Sequence, residues 1–409
     1  MSDANPTPTL IRKVPPPIEA IRLELPLELS VVMPCLNEAD TVGICVEKAM
    51  RVLRDEGIPG EVIVADNGST DGSQQIARNL GARVVPVSAL GYGNALMGGI
   101  AASRARFVLM ADCDDSYDLL EIPKFLAKLR EGHSLVQGCR LPSGGGTVKP
   151  GAMPFLHRRW GNPMFSVMSR IMFKAPINDV YCGMRAFTRE LYNRLDLRCT
   201  GMEFATEMII KSSLYGEDIV QAPITLHPDG RKNHPPHLKT FHDGWRTMRF
   251  FLMYSPRWLF LLPGAIAVLL GLIGYALALP AVRIHGVTFG AHTLLVATLS
   301  LQVGYQAIWF AIAAKVFAVS EGLLPEDPRI KGFFRFATLE RCLIAGALTF
   351  LSGIGLIAWM AERWAAAGWG PLDYASTMRV VIPAVALGAL GFQTIISTFF
   401  VSILGMKRR

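Results

Sequence analysis

Phe107-Val108-Leu109-Met110-Ala111-Asp112-Cys113-Asp114-Asp115 sets an unbroken apolar run against three carboxylates. A short apolar run of this kind reads as a strand buried on both faces. Acids at its end then fall where a parallel α/β sheet opens its ligand crevice. Two upstream segments repeat the pattern. Residues 29–33 lead into Pro34-Cys35-Leu36-Asn37-Glu38, and residues 61–65 lead into Asp66-Asn67-Gly68-Ser69-Thr70-Asp71. Further β-branched runs lie at 82–87 and 134–137, and amphipathic helical stretches at 40–56, 72–80, 93–102 and 119–131 alternate with them. That alternation predicts an α/β domain, a mostly parallel sheet with helices on both faces. One Asp after a strand is ordinarily a turn or capping residue. Three acidic strand ends on one rim make a site.

Asp112-x-Asp114 has a specific use. Two carboxylates one residue apart at a strand's end reach a divalent ion and the nucleotide that carries it. Hard oxygen ligands suit Mg2+ or Mn2+, which neutralises a leaving diphosphate.

Composition divides the chain. Only 18% of the 409 residues are charged and 51% are hydrophobic, against about 25% charged in an ordinary soluble chain. That balance excludes intrinsic disorder and speaks against a fully soluble enzyme. The seven cysteines contain no Cys-x-x-Cys spacing, so a disulfide framework and a structural zinc site are poor readings and a reducing compartment fits better. Uncharged runs at 259–279, 294–314, 343–361 and 380–404 are each long enough for about 30 Å of hydrocarbon. The competing reading is four buried helices of a large soluble core.

Basic residues near the ends of these runs are unequal. Arg246, Arg249, Arg257, Lys315, Arg329, Lys331, Arg335, Arg341, Lys407, Arg408 and Arg409 fall on one side, and Arg283, Arg363 and Arg379 on the other. Eleven against three predicts a catalytic half and C-terminus in the cytoplasm, of an integral membrane protein that lies in the plasma membrane if the chain is bacterial. The formal charge of +8 is thus largely membrane-flanking, and no nucleic-acid partner is expected. The expected organisation is a mobile N-terminal arm at 1–28, without a signal peptide's apolar region and with at most a short ordered stretch near 18–25. A catalytic domain at 29–238, an interfacial helix at 239–258 and a four-helix membrane domain at 259–409 follow. Segment 239–258 mixes Trp245, Phe250, Phe251, Tyr254 and Trp258 with arginines, as a helix at the headgroups does. Segment 155–173 is similar, with an ordinary core helix as the other reading.

The ordered series identifies a resemblance. Ser30-Val31-Val32-Met33-Pro34-x-x-Asn37-Glu38, the segment from Glu61 to Gly72, Gly91-x-Gly93-Asn94-Ala95, Asp112-x-Asp114, Gly138-Cys139-Arg140 and Cys182-Gly183-Met184-Arg185 follow one another. Over about 29–258 the chain resembles family 2 glycosyltransferases of the GT-A fold, close to polyprenyl-phosphate (dolichyl-phosphate) sugar transferases. The resemblance implies a nucleotide-sugar donor, a polyprenyl-phosphate acceptor among membrane lipids, and transfer of one sugar, inverting and metal-dependent. It implies that Pro34, Leu36 and Glu38 line the nucleotide and that Asp66 hydrogen-bonds the base. Asp112 and Asp114 match the sugar-nucleotide and metal aspartates, and Arg140 an arginine near the diphosphate or acceptor phosphate. Leu36 stands where Tyr is common, Asn67 replaces an Asp, and Cys113 sits inside the metal motif.

A phosphate acceptor is already anionic at neutral pH, so it needs positioning more than a strong base. Arg158 (or Arg159), Arg185, Arg231 and Lys239 are the candidates for holding it. Asp179 resembles a family aspartate near the acceptor and is the candidate assisting carboxylate, so the expected catalytic set is Asp114, Asp179 and Arg185. Glu203 and Glu207, four apart on one helix face, either orient the arginines or solvate the helix. Gly91-Tyr92-Gly93 lacks the Lys-Ser/Thr of a phosphate loop, and His234-Pro235-Pro236-His237 carries prolines that forbid a helical zinc face. Two alternatives stand beside single-sugar transfer: a processive polysaccharide synthase, for which four helices offer little polar lining, and a non-catalytic membrane scaffold. The sequence leaves a homo-oligomer open.

Overall fold

Strand β1 (Leu29–Cys35) pairs in parallel with β2 (Gly60–Asp66) on one side and β4 (Phe107–Met110) on the other. The computed structural model describes residues 26–231 and 240–406, so the ordered stretch expected near 18–25 lies outside the described residues. With β3 (Arg83–Pro86), β5 (Leu135–Cys139), β7 (Arg185–Thr188) and β8 (Ile219–Pro223) the sheet has seven strands in the order β3-β2-β1-β4-β7-β5-β8. Strand β7 alone runs antiparallel to its neighbours β4 and β5. A short pair, β6 (Thr147–Val148) and β9 (Thr225–Leu226), stands apart.

Side chains alternate faces along each strand. Val31, Met33, Val64 and Leu109 enter one core with helices α1 (Val42–Asp55), α2 (Ser73–Asn79) and α4 (Ile122–Arg130). Val32, Ile63, Val108 and Met110 enter the other, with α3 (Tyr92–Ala102), α5 (Asn162–Phe173), α6 (Arg189–Leu195), α7 (Glu203–Leu214) and α8 (Thr240–Met253). Both faces being covered, the strands are continuous apolar runs, and the expected mostly parallel α/β sheet is present.

Helix α8 ends at Met253, and after a break at Tyr254-Ser255 a π-helical turn at Arg257–Leu261 leads into α9 (Leu262–Ala278). Helices α10 (Ala291–Ser320), α11 (Pro328–Phe336), α12 (Leu339–Ala366) and α13 (Tyr374–Leu404) complete the chain. Among the described residues four helices, Arg257–Ala278, Ala291–Ser320, Leu339–Ala366 and Tyr374–Leu404, are long and apolar enough to cross a membrane. Their apolar side chains point outward, with Leu295, Val296 and Leu299 each 61–67% exposed. A soluble core would hide such a surface, and lipid covers it. Within the bundle small residues permit close crossing: a Cβ on Gly353 would come within 2.4 Å of the Gly388 nitrogen.

Candidate active site

The carboxyl ends of β1, β2 and β4 form one rim. Parallel register places Cys35 beside Asp66 and Val32 beside Met110, so Leu36–Glu38, Asp66 and Asp112–Asp115 emerge together. The three acidic strand ends read from the sequence do converge.

At the β2 end, Asp66 is buried and folds its own loop. Its Oδ2 accepts from the Gly68 N–H (3.0 Å), the Ser69 N–H (3.2 Å) and Gln74 Nε2 (2.8 Å). Its Oδ1 accepts only a longer 3.3 Å bond from Ser69 N–H among the described contacts, which leaves acceptor capacity there. Asn67 needs to be an amide rather than an acid. Its Nδ2 donates to the carbonyls of Val87 (2.9 Å) and Ala89 (2.8 Å), while its Oδ1 accepts from the Gly91 N–H (2.8 Å). The side chain thereby fixes the loop that opens α3. Leu36 is exposed on the rim and Pro34 half-buried beside it.

Tyr92, which sequence reasoning passed over between its two glycines, leaves that loop and donates to Asp112 Oδ1 at 2.9 Å. The glycines serve packing, because a Cβ on Gly93 would lie 2.3 Å from the Cys199 carbonyl. On the other side of Asp112, a Cβ on Gly183 would meet Oδ2 at 2.7 Å and the Tyr117 hydroxyl at 3.1 Å. Cys182-Gly183-Met184-Arg185 thus runs against the Asp112 carboxylate, and its Gly183 N–H donates to Tyr117 (2.8 Å). Burial, reinforced by the Asp114 charge, raises the Asp112 carboxyl to about 6 despite the Tyr92 bond.

Asp114 Oδ1 accepts from the Ser116 N–H (3.0 Å) and hydroxyl (2.6 Å), while Oδ2 lies 3.5 Å from Arg231 Nη1. Arg231 is gripped further by Glu38, with Nε at 3.0 and 2.9 Å from its two oxygens, and by Asp229 at 2.8 Å. Burial opposes the Arg231 charge, yet Glu38, Asp114 and Asp229 together hold its pKa above the ordinary value. Glu38, with Thr41 also donating to it at 3.2 Å, is therefore committed to Arg231, an arrangement that the sequence assignment of Glu38 to the nucleotide did not contain.

Arg140 and Asp179 form a second buried pair. Arg140 Nε and Nη2 reach the two Asp179 oxygens at 2.7 and 2.8 Å, and the Arg140 N–H adds a third bond at 3.0 Å. Asp179, fully buried, anchors Arg140 and is not presented as a free carboxylate. Arg185 departs from the sequence expectation more sharply. It starts β7 in mid-sheet, is fully buried, and gives its guanidinium to the carbonyls of Cys182 and Ala205. Burial lowers its pKa. The structure thus moves Arg185 from the acceptor surface to a buried support beside Tyr92 and Tyr117. Arg158 is exposed at the start of the π-helical turn before α5, and Lys239 lies outside the described residues.

Glu203 and Glu207 tie α7 to α8. Glu203 pairs with Arg246. Glu207, fully buried, accepts from the Tyr254 hydroxyl (2.8 Å) and from the Arg198 and Cys199 N–H groups, and pairs with the equally buried Lys211 at 3.1 Å.

Among the described residues no group of three or more His, Cys, Asp or Glu side chains could by itself hold a metal ion. Asp112 and Asp114 nevertheless fit a divalent cation of the Mg2+ type, which takes one or two carboxylates and completes its shell with substrate phosphates and water. Burial is the larger cause of the raised Asp112 pKa and the Asp114 charge adds to it, a repulsion that a cation held by both carboxylates would relieve.

Comparison with known proteins agrees with this architecture. A model of glycosyl transferase family 2 matches residues 30–196, and a model of the family 2 C-terminal transmembrane region matches residues 312–405. A low-salt glycan biosynthesis hexosyltransferase of Haloferax volcanii is 35% identical over 92% of this chain and 89% of its own. A dolichyl-phosphate hexose transferase of the same organism is 33% identical over 48% of this chain and 82% of its own. Glucosyl-3-phosphoglycerate synthase of Mycobacterium tuberculosis, solved with Mn2+ and uridine diphosphate, superposes with a TM-score of 0.44 at 23% identity, over 56% of this chain and 79% of that one. With a sheet rim built from the motif residues, a membrane-embedded helical half, and a relative alike over nearly its whole length, the chain belongs to glycosyltransferase family 2 and is a membrane glycosyltransferase.

Proposed function

We propose that the protein transfers one hexose from a nucleotide sugar to a polyprenyl phosphate, with inversion at the anomeric carbon and with Mg2+ or Mn2+ at Asp112 and Asp114. The observation that carries this reading is the meeting of Asp112, Asp114 and Arg231 on one rim, with Asp114 Oδ2 3.5 Å from the guanidinium. A pair of cation-binding carboxylates beside a guanidinium that Glu38, Asp114 and Asp229 hold in place suits a reaction between a diphosphate donor and an anionic acceptor. The relative named a dolichyl-phosphate hexose transferase supports the acceptor class.

Asp66 Oδ1 accepts the base N–H, while Pro34 and Leu36 offer apolar surface to the ring. When bound, the divalent ion neutralises charge that develops on the leaving diphosphate. Arg140, held in orientation by Asp179, adds a fixed positive charge toward the diphosphate. Arg231 and Arg158 orient the acceptor phosphate, with Lys239 kept in this set on sequence grounds. The acceptor oxygen is ionised at neutral pH and attacks the anomeric carbon opposite the leaving group, so positioning rather than proton removal is what the chain supplies. Asp179 is accordingly a positioning residue. The catalytic half and the C-terminal tail face the cytoplasm, following the bias of basic residues.

The test is direct. Purified protein in detergent is incubated with a panel of nucleotide sugars and polyprenyl phosphates, and the product is identified by mass. A singly glycosylated polyprenyl phosphate is expected. Equal transfer to a soluble sugar, or chain extension to a polymer, refutes the reading.

A further inference from the structure

Three thiols lie behind the acidic rim, and the transfer chemistry uses none of them. Cys35 closes β1, Cys45 is on α1, and Cys113 sits between Asp112 and Asp114. All three are buried in one core, Cys35 and Cys113 with 2% of their surface exposed.

Strand register brings two of them together. In the parallel pair β1–β4, Leu29 stands opposite Phe107 and Val32 opposite Met110. The same offset carried three residues on sets Cys35 opposite Cys113. The chains stay side by side to that level, because the Ala111 N–H donates to the Val32 carbonyl (3.2 Å) and the Cys113 thiol donates to the Pro34 carbonyl (2.9 Å). Facing residues of neighbouring strands lie about 4.8 Å apart, inside the roughly 4.4–6.8 Å between the Cα atoms of a disulfide. The two thiols also differ in character. Hydrogen bonding from Cys113, against the opposing effect of burial, holds Cys35 below its ordinary pKa, and the same contact with burial pushes Cys113 well above its own. Ser69, half-buried on the rim, has its hydroxyl 3.8 Å from the Cys35 sulfur and marks the side from which a small oxidant arrives.

We propose that Cys35 and Cys113 are a reversible redox pair, oxidised by a hydroperoxide to a disulfide that distorts the turn carrying Asp112 and Asp114. The Cys35 sulfur attacks the peroxide and the O–O bond breaks. Cys35 becomes a sulfenic acid, and the other oxygen leaves as water with the thiol proton. The Cys113 sulfur then displaces the sulfenic oxygen, which leaves as a second water with the Cys113 proton as the S–S bond forms. Two electrons have passed from the thiols to the peroxide, and a dithiol returns them by exchange. Oxidation removes the Cys113 bond to Pro34, and the disulfide's torsion of about 90° has to be met by the backbone on either side of Cys113. That backbone carries Asp112, tied to Tyr92, and Asp114, tied to Ser116, so the two carboxylates lose the spacing that suits one ion. This consequence rests on their proposed cation role, whereas formation of the bond does not. Disulfides of a reducing compartment are transient and sensing rather than structural, which agrees with seven cysteines that are all free.

The experiment uses the full chain in detergent, reduced and then exposed to hydrogen peroxide in metal-free buffer. After alkylation of the remaining thiols, peptide mass spectrometry is expected to find the Cys35 and Cys113 peptides joined, with the loss of two hydrogens. Mn2+ affinity, read by electron paramagnetic resonance, should fall about tenfold or more, and dithiothreitol should restore it. Cys35→Ser should keep its Mn2+ affinity under the same peroxide, with Cys35→Ala in its place where the thermal melt shows that serine unsettles the core. An equal fall in that variant would assign the loss to other oxidation and overturn the switch. A bond to Cys45, or both thiols still open to alkylation, would overturn the pair. A Cys35–Cys113 bond with unchanged Mn2+ affinity would overturn the regulation. Reduced protein that binds no Mn2+ would overturn the proposed cation site and the switching that rests on it, while the linked peptides still decide the bond.

Discussion

Arg231 and a divalent cation compete for the same carboxylate, and this makes Arg231→Ala an informative perturbation. Its Nη1 lies 3.5 Å from Asp114 Oδ2, and the two side chains are only 16% and 14% exposed. A charge pair near this separation is worth about 4 kcal/mol at an effective dielectric constant of 20 and about 1 kcal/mol in water. An ion binding at Asp114 must displace or share that interaction. Removing the guanidinium should therefore strengthen Mn2+ binding by about 1–2 kcal/mol, or about tenfold, when no nucleotide is present. Glu38, left unpaired by the substitution, could attract Mn2+ by itself. The comparison is therefore repeated between Glu38→Gln and Glu38→Gln/Arg231→Ala. Free Mn2+ is measured by electron paramagnetic resonance in detergent solution. The same variant should lose transfer to polyprenyl phosphate, since it lacks the guanidinium proposed to orient the acceptor phosphate. Mn2+ affinity unchanged or reduced in both backgrounds would refute the competition.

Asp114→Asn should abolish transfer while leaving the thermal melt near that of the parent, and full activity in EDTA would remove the cation from the mechanism. Asp112 carries a pH signature. Its carboxyl is raised from 3.8 to about 6, so the folded chain holds that proton more tightly than the unfolded one, and the stability present below pH 4 is lost as pH rises through about 6. Asp112→Asn should accordingly raise stability by about 1–3 kcal/mol above pH 6 in the absence of divalent ions, with the difference closing below pH 4. Melts of the two proteins that stay parallel across pH would refute this. Phe251→Ala empties a fully buried site between Phe165 and Phe173 and should cost about 3–5 kcal/mol in thermal or denaturant unfolding. A loss below about 1 kcal/mol would mean that the α5–α8 contact is loose.

Strand ends, helix alternation and the four long apolar helices are legible because each is a local pattern. Residues 107–110 were read as a strand and are β4 in the structure, since both faces are covered and the apolar run is unbroken. Strand β7 was not legible. Arg185-Ala186-Phe187-Thr188 opens with a charge and is four residues long, and only its place between β4 and β5 makes it a strand. The same placement explains Arg185. A motif that follows the acidic ends in sequence looked like part of the surface, but insertion of its strand into mid-sheet buries the guanidinium completely. The site's pairings were hidden for another reason. Tyr92 and Asp112 are 20 residues apart, Arg140 and Asp179 39, and Glu38 and Arg231 193. Such distant partners leave no local spacing to read.

These pairings also explain how a membrane anchor acts on a sheet rim. Glu207 holds the backbone of Arg198 and Cys199, and the Thr200 carbonyl next to them accepts the Asn94 N–H at 3.2 Å, on the turn that carries Tyr92. Tyr92 in turn donates to Asp112. The other oxygen of the Glu207 carboxylate accepts from the Tyr254 hydroxyl, close to the start of the first candidate span. A displacement of α8 is therefore opposed by buried hydrogen bonds that lead, contact by contact, to a candidate cation ligand. Lys211, fully buried against Glu207 and bonded to the carbonyls of Leu195 (3.0 Å) and Asp196 (2.7 Å), compensates the charge that makes this junction work. Breaking such a buried pair leaves an uncompensated charge, so slack at the junction is costly. The α8 junction and the rim consequently keep one fixed relation, which the proposed transfer from a soluble nucleotide sugar to a membrane lipid would use.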